Sequence, residues 1–171
     1  GLHMMDTPFA GSLKARLDFA SDFKYTHRLT GFIGNLVIDD KNKVYHAGDI
    51  TLDVATRRDS THAVVNCGDF QLHLEGHGYY DRLLSESQHF MKELQRQLKN
   101  RKINQVMLRK RLPNARLFLR SGKDNFFVHM LNRYGYQFAR ANVDMYSSPI
   151  LGLNGNLQID SLIADSMQLD T

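Results

Sequence analysis

A five-residue element that recurs along the chain constrains its fold more than any other feature of the sequence. The element reads glycine, asparagine or aspartate, an apolar residue, any residue and a second apolar residue, and its four copies begin at Gly34, Gly48, Gly68 and Gly155. Glycine followed by Asn or Asp permits the turn conformations that start a strand, and the two apolar residues then face one side of it. We therefore predict an elongated sheet of successive similar strands.

Alternation of apolar and polar residues around these copies also indicates strands. It is clearest over residues 13–19, 50–54 and 70–74, and the runs 32–38 and 61–67 are rich in β-branched and aromatic residues. A period of two residues is typical of half-buried antiparallel strands. One alternative stays open, because the glycines could be ordinary hairpin turns in a compact α+β domain.

From Tyr80 the apolar residues recur at steps of three and four, which predicts an amphipathic helix to about Arg101. The residues of this apolar stripe are Leu83, Leu84, Ser87, Phe90, Met91, Leu94 and Leu98. A short second helix around residues 106–108 should end before Pro113, and alternation predicts a strand over residues 115–119.

A third helix is expected over residues 123–134. Ser121 or Asp124 can cap its N-terminus, and Gly135 suits the left-handed conformation that commonly closes a helix. Strands are expected again over residues 137–146 and 153–169.

These patterns predict one β-rich α+β domain, because 171 residues of which 42% are apolar fill a single core. Strands occupy residues 1–78 and 136–171, and a helical insert with one strand occupies residues 79–135. We expect a curved antiparallel sheet of repeated strands, with the insert packed on one face. Gly1 resembles a cleavage scar and the alternation at Met167 and Leu169 reaches the last residues, so we expect a fragment of a larger protein.

Positive charge is concentrated in one segment of the chain. Residues 92–123 contain eleven Lys and Arg residues and one acid, Glu93, whereas the remainder contains eleven basic and seventeen acidic residues. Such a segment favours an anionic partner or is an ordinary solvated face. The candidate lipid- or anion-binding residues are Arg96, Lys99, Arg101, Lys102, Arg109, Lys110 and Arg111.

Nucleic acid is the alternative partner for these cations, since they would contact phosphates with a salt-dependent affinity. The aromatic residues of the segment and its surroundings do not favour this alternative. They fall at the spacing of core residues, without a recognised reading motif, instead of forming a stacking platform. These residues are Phe90, Phe126, Phe127 and Tyr134.

The sequence favours neither catalysis nor a metal or cofactor site. It lacks the Gly-x-Ser-x-Gly, phosphate-loop, dinucleotide-binding and His-Glu-x-x-His spacings, so we predict a non-enzymatic protein without a cofactor. His73, Glu75 and His77 alternate on one strand and are weak metal candidates, but they more simply form its solvated face. The single cysteine, Cys67, fits a small core residue better than a nucleophile.

Two strand stretches and part of the insert carry a resemblance to a known family. Residues 48–70 and 153–162 resemble the repeating strand pattern of AsmA/TamB translocation and assembly proteins. Residues 101–105 and 121–127 resemble the form that these proteins take in some Gram-negative lineages. The resemblance covers most of the chain.

The resemblance implies a very long periplasmic protein that is tethered at the inner membrane. Its curved sheet is expected to form an apolar groove that moves phospholipid between membranes or assists outer-membrane assembly. The implied partners are anionic phospholipid, outer-membrane assembly proteins and adjacent β repeats of the parent chain. The sequence holds no charged leader and no apolar run of about 18 residues, so the location is implied by the resemblance alone.

Overall fold

The computed structural model describes residues 10–40, 43–133 and 135–164, which form an antiparallel sheet of nine strands, a separate strand pair and three helices. The strands before the helices are β1 (Ala10–Ser21), β2 (His27–Asp40), β3 (Lys43–His46), β4 (Ile50–Thr56), β5 (Ser60–Cys67) and β6 (Phe70–His77). There follow α1 (Tyr80–Lys99), α2 (Gln105–Lys110), β7 (Ala115–Ser121) and α3 (Phe126–Arg133). The last strands are β8 (Tyr136–Gln137), β9 (Arg140–Ser148), β10 (Gly152–Asp160) and β11 (Ile163–Ala164).

Most strands of the main sheet pair with the next strand along the chain. Its order is β1-β2-β4-β5-β6-β7-β9-β10, with every pair antiparallel, and β8 pairs with β11 separately. Both β3 and β4 pair with β2, over residues 37–40 and 27–33 respectively, so they lie end to end along it. The β-rich antiparallel sheet predicted from the alternation is therefore confirmed.

The recurring glycine element starts a strand in two of its four copies. Gly48 precedes β4, and Gly68, with a φ of +58°, lies in the turn between β5 and β6. The prediction is wrong for Gly34 and Gly155, because both lie inside strands.

Inside a strand, the element coincides with an irregular backbone conformation or with a close approach of two backbones instead of a turn. Next to Gly34, Asn35 has a φ of +54°, the pairing of β2 with β1 shifts, and β2 changes its other partner from β4 to β3. At Gly155, a Cβ atom would collide with the carbonyl oxygen of Asp144 on β9. A close backbone contact thus requires glycine at position 155, whereas Gly34 adjoins an irregularity whose left-handed residue is Asn35.

The helices agree with the predicted periods, except for one cap. The left-handed Gly135, with a φ of +79°, follows α3 as predicted. The N-cap prediction of Ser121 or Asp124 is wrong, because Asn125 Oδ1 accepts a hydrogen bond from the Val128 N–H at 3.0 Å. Ser121 still belongs to β7, and its hydroxyl accepts a hydrogen bond from Asn125 Nδ2 instead. The final predicted strand, residues 153–169, is wrong as one continuous strand, because β10 ends at Asp160, Ser161 has a φ of +56°, and β11 pairs with β8 outside the main sheet. Its residues 165–169 lie outside the described part of the chain.

Helix α1 meets the sheet at its first turn. Leu83 is buried against Gly76 of β6, in the space that a larger side chain at position 76 would occupy. The Tyr80 N–H donates a hydrogen bond to Thr56 Oγ1 at 3.2 Å. Further along α1, Met91 and Leu98 are exposed, whereas Glu93 and Gln97 are buried. Packing of the whole apolar stripe on one face of the sheet is therefore not confirmed.

Several of the buried apolar residues lie in two small clusters at opposite ends of the strands. One contains Cys67 and Phe70 beneath α3 together with Val128 of α3, and there the rings of Phe70 and Phe127 are 4.5 Å apart between centroids. The other is beside α1 and contains Leu83. The middle of the sheet lies between these clusters.

Candidate functional site

One face of the sheet carries an almost continuous apolar surface, which we call the apolar face. Because paired residues of antiparallel strands point to the same side, the registers define two neighbouring rows across it. The first row is Phe19, Leu29, Val54, Ala63, Leu74, Leu117 and Met145. The second row is Leu17, Gly31, Leu52, Val65, Leu72, Leu119, Val143 and Leu157.

Every residue of the two rows remains accessible to solvent. Those on the inner strands are half-buried, whereas the edge residues Leu17 and Leu157 are 70% and 65% exposed. At the usual spacing of strands, eight strand positions extend over about 34 Å. Uncovered apolar surface of this extent is typical of binding surfaces.

Helices flank the two rows at opposite ends of the strands. At one end, Leu83 of α1 contacts Gly76, which is on the same face as the rows. At the other end, Phe127 of α3 packs on Phe70, again on this face. The result is an apolar strip that runs across the strands, with a helix on each of its two sides and no cover between them.

A hydrogen-bond network holds α3 in place at its end of the strands. Asp69, in the turn before β6, accepts hydrogen bonds from Asn125 Nδ2 at 2.7 Å and from the Asp124 N–H at 3.0 Å. Cys67 beside this turn is fully buried, and its burial raises the pKa of the thiol. Its predicted role as a small core residue is confirmed.

The opposite face of the sheet is polar and carries ion pairs between strands. Arg28 binds Asp53 through two hydrogen bonds of 3.0 and 2.6 Å, which hold the pKa of that carboxyl below its usual value. Arg116 binds Asp144 in the same manner, at 3.3 and 3.2 Å. These pairs are exposed, so they identify the solvated face without contributing much to stability.

The weak metal candidates lie on this polar face. His73 is edge-on to Phe118 with their centroids 5.9 Å apart, and Glu75 lies 3.9 Å from His62. Glu75 and His77 line an open cleft of about 520 Å³. Among the described residues, no three His, Cys, Asp or Glu side chains converge closely enough to hold a metal ion.

All seven candidate basic residues belong to the α1–α2 hairpin, which we define as α1, residues 100–104, α2 and Arg111 at the C-terminus of α2. The structure places these residues on the exposed surface of the last turn of α1, of the loop and of the end of α2. Arg109 also donates to the carbonyl oxygen of Pro149 at 3.3 Å, which connects α2 to the turn between β9 and β10. The cations are thus near one end of the strands rather than along the apolar rows.

A buried polar network holds this hairpin together, and the apolar pattern gave no sign of it. Glu93 accepts hydrogen bonds from Gln97 and Arg96, both at 2.6 Å, and these bonds lower the pKa of its carboxyl. Gln97 in turn accepts a hydrogen bond from the Asn104 N–H, and Asn104 caps α2 by accepting from the Met107 N–H. The spacing of Glu93 and Gln97, four residues apart before a capping Asn, was the available signal.

Comparison of the chain with protein-family models, with curated proteins and with solved structures found no match in any of the three. In the part of the chain that the structure describes, each helix is too short or too polar to cross a membrane.

Proposed function

We propose that this chain is a non-enzymatic, lipid-binding section of a large envelope protein of the AsmA/TamB type. The observation that carries the proposal is the pair of apolar rows that cross the sheet without cover. In this proposal the apolar face holds acyl chains of phospholipid that moves between membranes or takes part in outer-membrane assembly.

The size of the hydrophobic effect supports acyl chains as the ligand. Removing ten methylene groups from water would contribute about 8 kcal/mol before the cost of ordering the chain is subtracted. A surface of aliphatic side chains without directed polar groups suits a ligand that differs in length but not in chemistry. Phospholipids have this property.

The edges of the sheet support its place within a longer protein. β1 and β10 are at the two ends of the strand order, and the apolar rows continue to both of them, at Leu17 and Leu157. We propose that adjacent β repeats of the parent chain extend the sheet there and that the extended sheet is curved. The periplasmic location and the inner-membrane tether follow from the resemblance and belong to the same proposal.

Nucleic-acid binding is the weaker alternative for the basic segment. Phe90, Phe126 and Phe127 are half-buried, and they offer no flat exposed platform on which bases could stack. Tyr134 lies outside the described residues.

A pair of neighbouring valines gives a direct test of the proposal. Val65 belongs to the apolar face, whereas Val64 pairs with His73 on the polar face, and both are half-buried. A photoreactive benzophenone residue at position 65 should crosslink to phosphatidylglycerol supplied in vesicles, and the same group at position 64 should not. Mass spectrometry of the irradiated protein measures both yields.

Folding of both photoreactive variants is checked by circular dichroism. Equal yields at the two positions, or no lipid adduct at position 65 in a folded protein, would overturn the proposal.

A further inference from the structure

The closed end of the α1–α2 hairpin exposes aliphatic side chains that pack on no core. Leu98, Ile103, Val106 and Met107 are 58%, 53%, 65% and 39% exposed. They come from the last turn of α1, the loop and α2, which the buried Glu93 and Gln97 hold together. The fold thus brings four aliphatic residues to one end of a preformed helical hairpin.

Cations are interleaved with these aliphatic residues. Residues 92–111 hold eight Lys and Arg residues and the single acid Glu93, whose carboxylate is engaged by Arg96 and Gln97. On α2, Arg109 and Lys110 follow Val106 by three and four residues, so they share its side of the helix. Aliphatic and cationic groups therefore occupy the same surface.

One cation of the loop, Arg101, has an unusual backbone conformation. Arg101 has a φ of +52°, in the left-handed region that glycine normally occupies after a helix. The loop closes through hydrogen bonds from the Arg101 N–H to the Leu98 carbonyl and from the Lys102 N–H to the Gln97 carbonyl. A strained conformation of this kind persists only where the surrounding contacts determine it.

The chemistry of this surface distinguishes between two polyanions. A nucleic acid would be bound through phosphate contacts and stacking on aromatic rings, but residues 91–111 contain no Phe, Tyr or Trp. An anionic bilayer accepts both components, because its headgroups bind the cations and its interface receives the aliphatic side chains. The excess of positive charge complements the charge of such a leaflet.

We infer that the α1–α2 hairpin is a membrane-docking element that binds the surface of an anionic bilayer and inserts Leu98, Ile103, Val106 and Met107 between its headgroups. The surface differs from the apolar face, which holds acyl chains in the proposed function. Docking here would place one side of the apolar strip beside a bilayer, since α1 begins at that end of the strands and Arg109 contacts the β9–β10 turn.

Vesicle flotation with the complete chain tests the inference. The probes are vesicles of phosphatidylcholine alone and of phosphatidylcholine with phosphatidylglycerol, at low and high NaCl. The chain should float only with the anionic vesicles, and added salt should weaken binding without abolishing it, because insertion of aliphatic groups is not screened.

Two hairpin variants separate the contributions. The triple variant Lys99→Gln, Arg101→Gln and Lys102→Gln should lower the partition coefficient at low salt by about tenfold or more. The double variant Ile103→Ser and Val106→Ser should lose the part of binding that resists salt. Thermal unfolding confirms that each variant is folded, which is expected since the changed side chains are exposed.

Matched controls use exposed residues elsewhere on the molecule. The charge control is Lys24→Gln, Arg57→Gln and Arg58→Gln in the β1–β2 and β4–β5 loops, and the apolar control is Leu162→Ser with Ile163→Ser at the β10–β11 connection. Both should bind vesicles like the original chain.

Unchanged binding by the hairpin variants, or equal losses in the controls, would overturn the inference. So would binding of a DNA or RNA oligonucleotide in the absence of vesicle binding. The crosslinking result at position 65 is independent of these outcomes, because it reports on the apolar face and not on the hairpin.

Discussion

The middle of the apolar face and the cluster beneath α3 are built from the same strands, yet only one of them is covered. On β5, Cys67 is fully buried beneath α3, whereas Val65, two residues earlier on the same face, is half-buried. On β6, the same difference separates Phe70 from Leu72. Burial changes between residues two positions apart on each strand, so the ends beneath the helices are covered and the middle of the face stays accessible to solvent.

The helix α1 repeats this contrast along its own length. Its first turn buries Leu83 against the sheet, but the residue that follows, Leu84, is exposed. Further along, the helix buries Glu93 and Gln97 in the hairpin network rather than the rest of its apolar stripe. A polar network can therefore determine which side of an amphipathic helix faces the protein.

The largest expected effect tests the contrast between the buried Phe70 and the half-buried Leu72. Phe70→Ala should lower the free energy of unfolding by about 3 to 5 kcal/mol, because it removes a buried ring that packs at a tilt against Phe127. Leu72→Ala should cost roughly 1 kcal/mol, because that side chain is only half-buried and water fills the space. Urea denaturation measures both, and similar losses would mean that the middle of the sheet is covered as well.

A smaller effect sharpens the same contrast within α1, where two adjacent leucines serve as test and control. Leu83→Ala should lower the free energy of unfolding by about 2 to 4 kcal/mol, because the side chain is buried against Gly76. Leu84→Ala should change it by about 0.5 kcal/mol or less, since Leu84 is exposed. The opposite order would place the other side of α1 against the sheet.

Local patterns in the sequence were sufficient to predict most of the secondary structure. A period of two identified the strands that contain Leu52 and Leu72, and steps of three and four identified α1, because these periods follow from the geometry of each element alone. The four-residue strand β3 was missed, since it is too short to show a period. The bulge beside Gly34 was missed because it depends on which strands β2 pairs with.

The sequence could not predict which parts of the apolar face the helices cover, because this depends on contacts between distant segments. The apolar stripe of α1 fits equally well against a sheet, a bilayer or another protein, and only the bonds among Glu93, Gln97 and Asn104 commit the helix to α2. The seven candidate cations were identified from their density in the sequence. Their arrangement around Ile103 and Val106 required the structure of the hairpin.

The smallest expected effect concerns the stability of this hairpin and depends on pH. The hydrogen bonds from Gln97 and Arg96 lower the pKa of Glu93 from its ordinary value of 4.5, so the folded state binds its proton less readily than the unfolded state. The resulting stabilisation is complete above pH 4.5 and is lost as the pH falls through the lower folded value.

Other carboxyl groups also titrate in this range, so the informative quantity is the difference in the free energy of unfolding between the original chain and Glu93→Gln. That difference in the free energy of unfolding should shrink as the pH is lowered below 4.5, and Lys99→Gln, which leaves the network intact, should show no such change. A pH-independent difference for Glu93→Gln would show that the charge of Glu93 does not hold α1 and α2 together, and the buried side of α1 would then be set by shape alone.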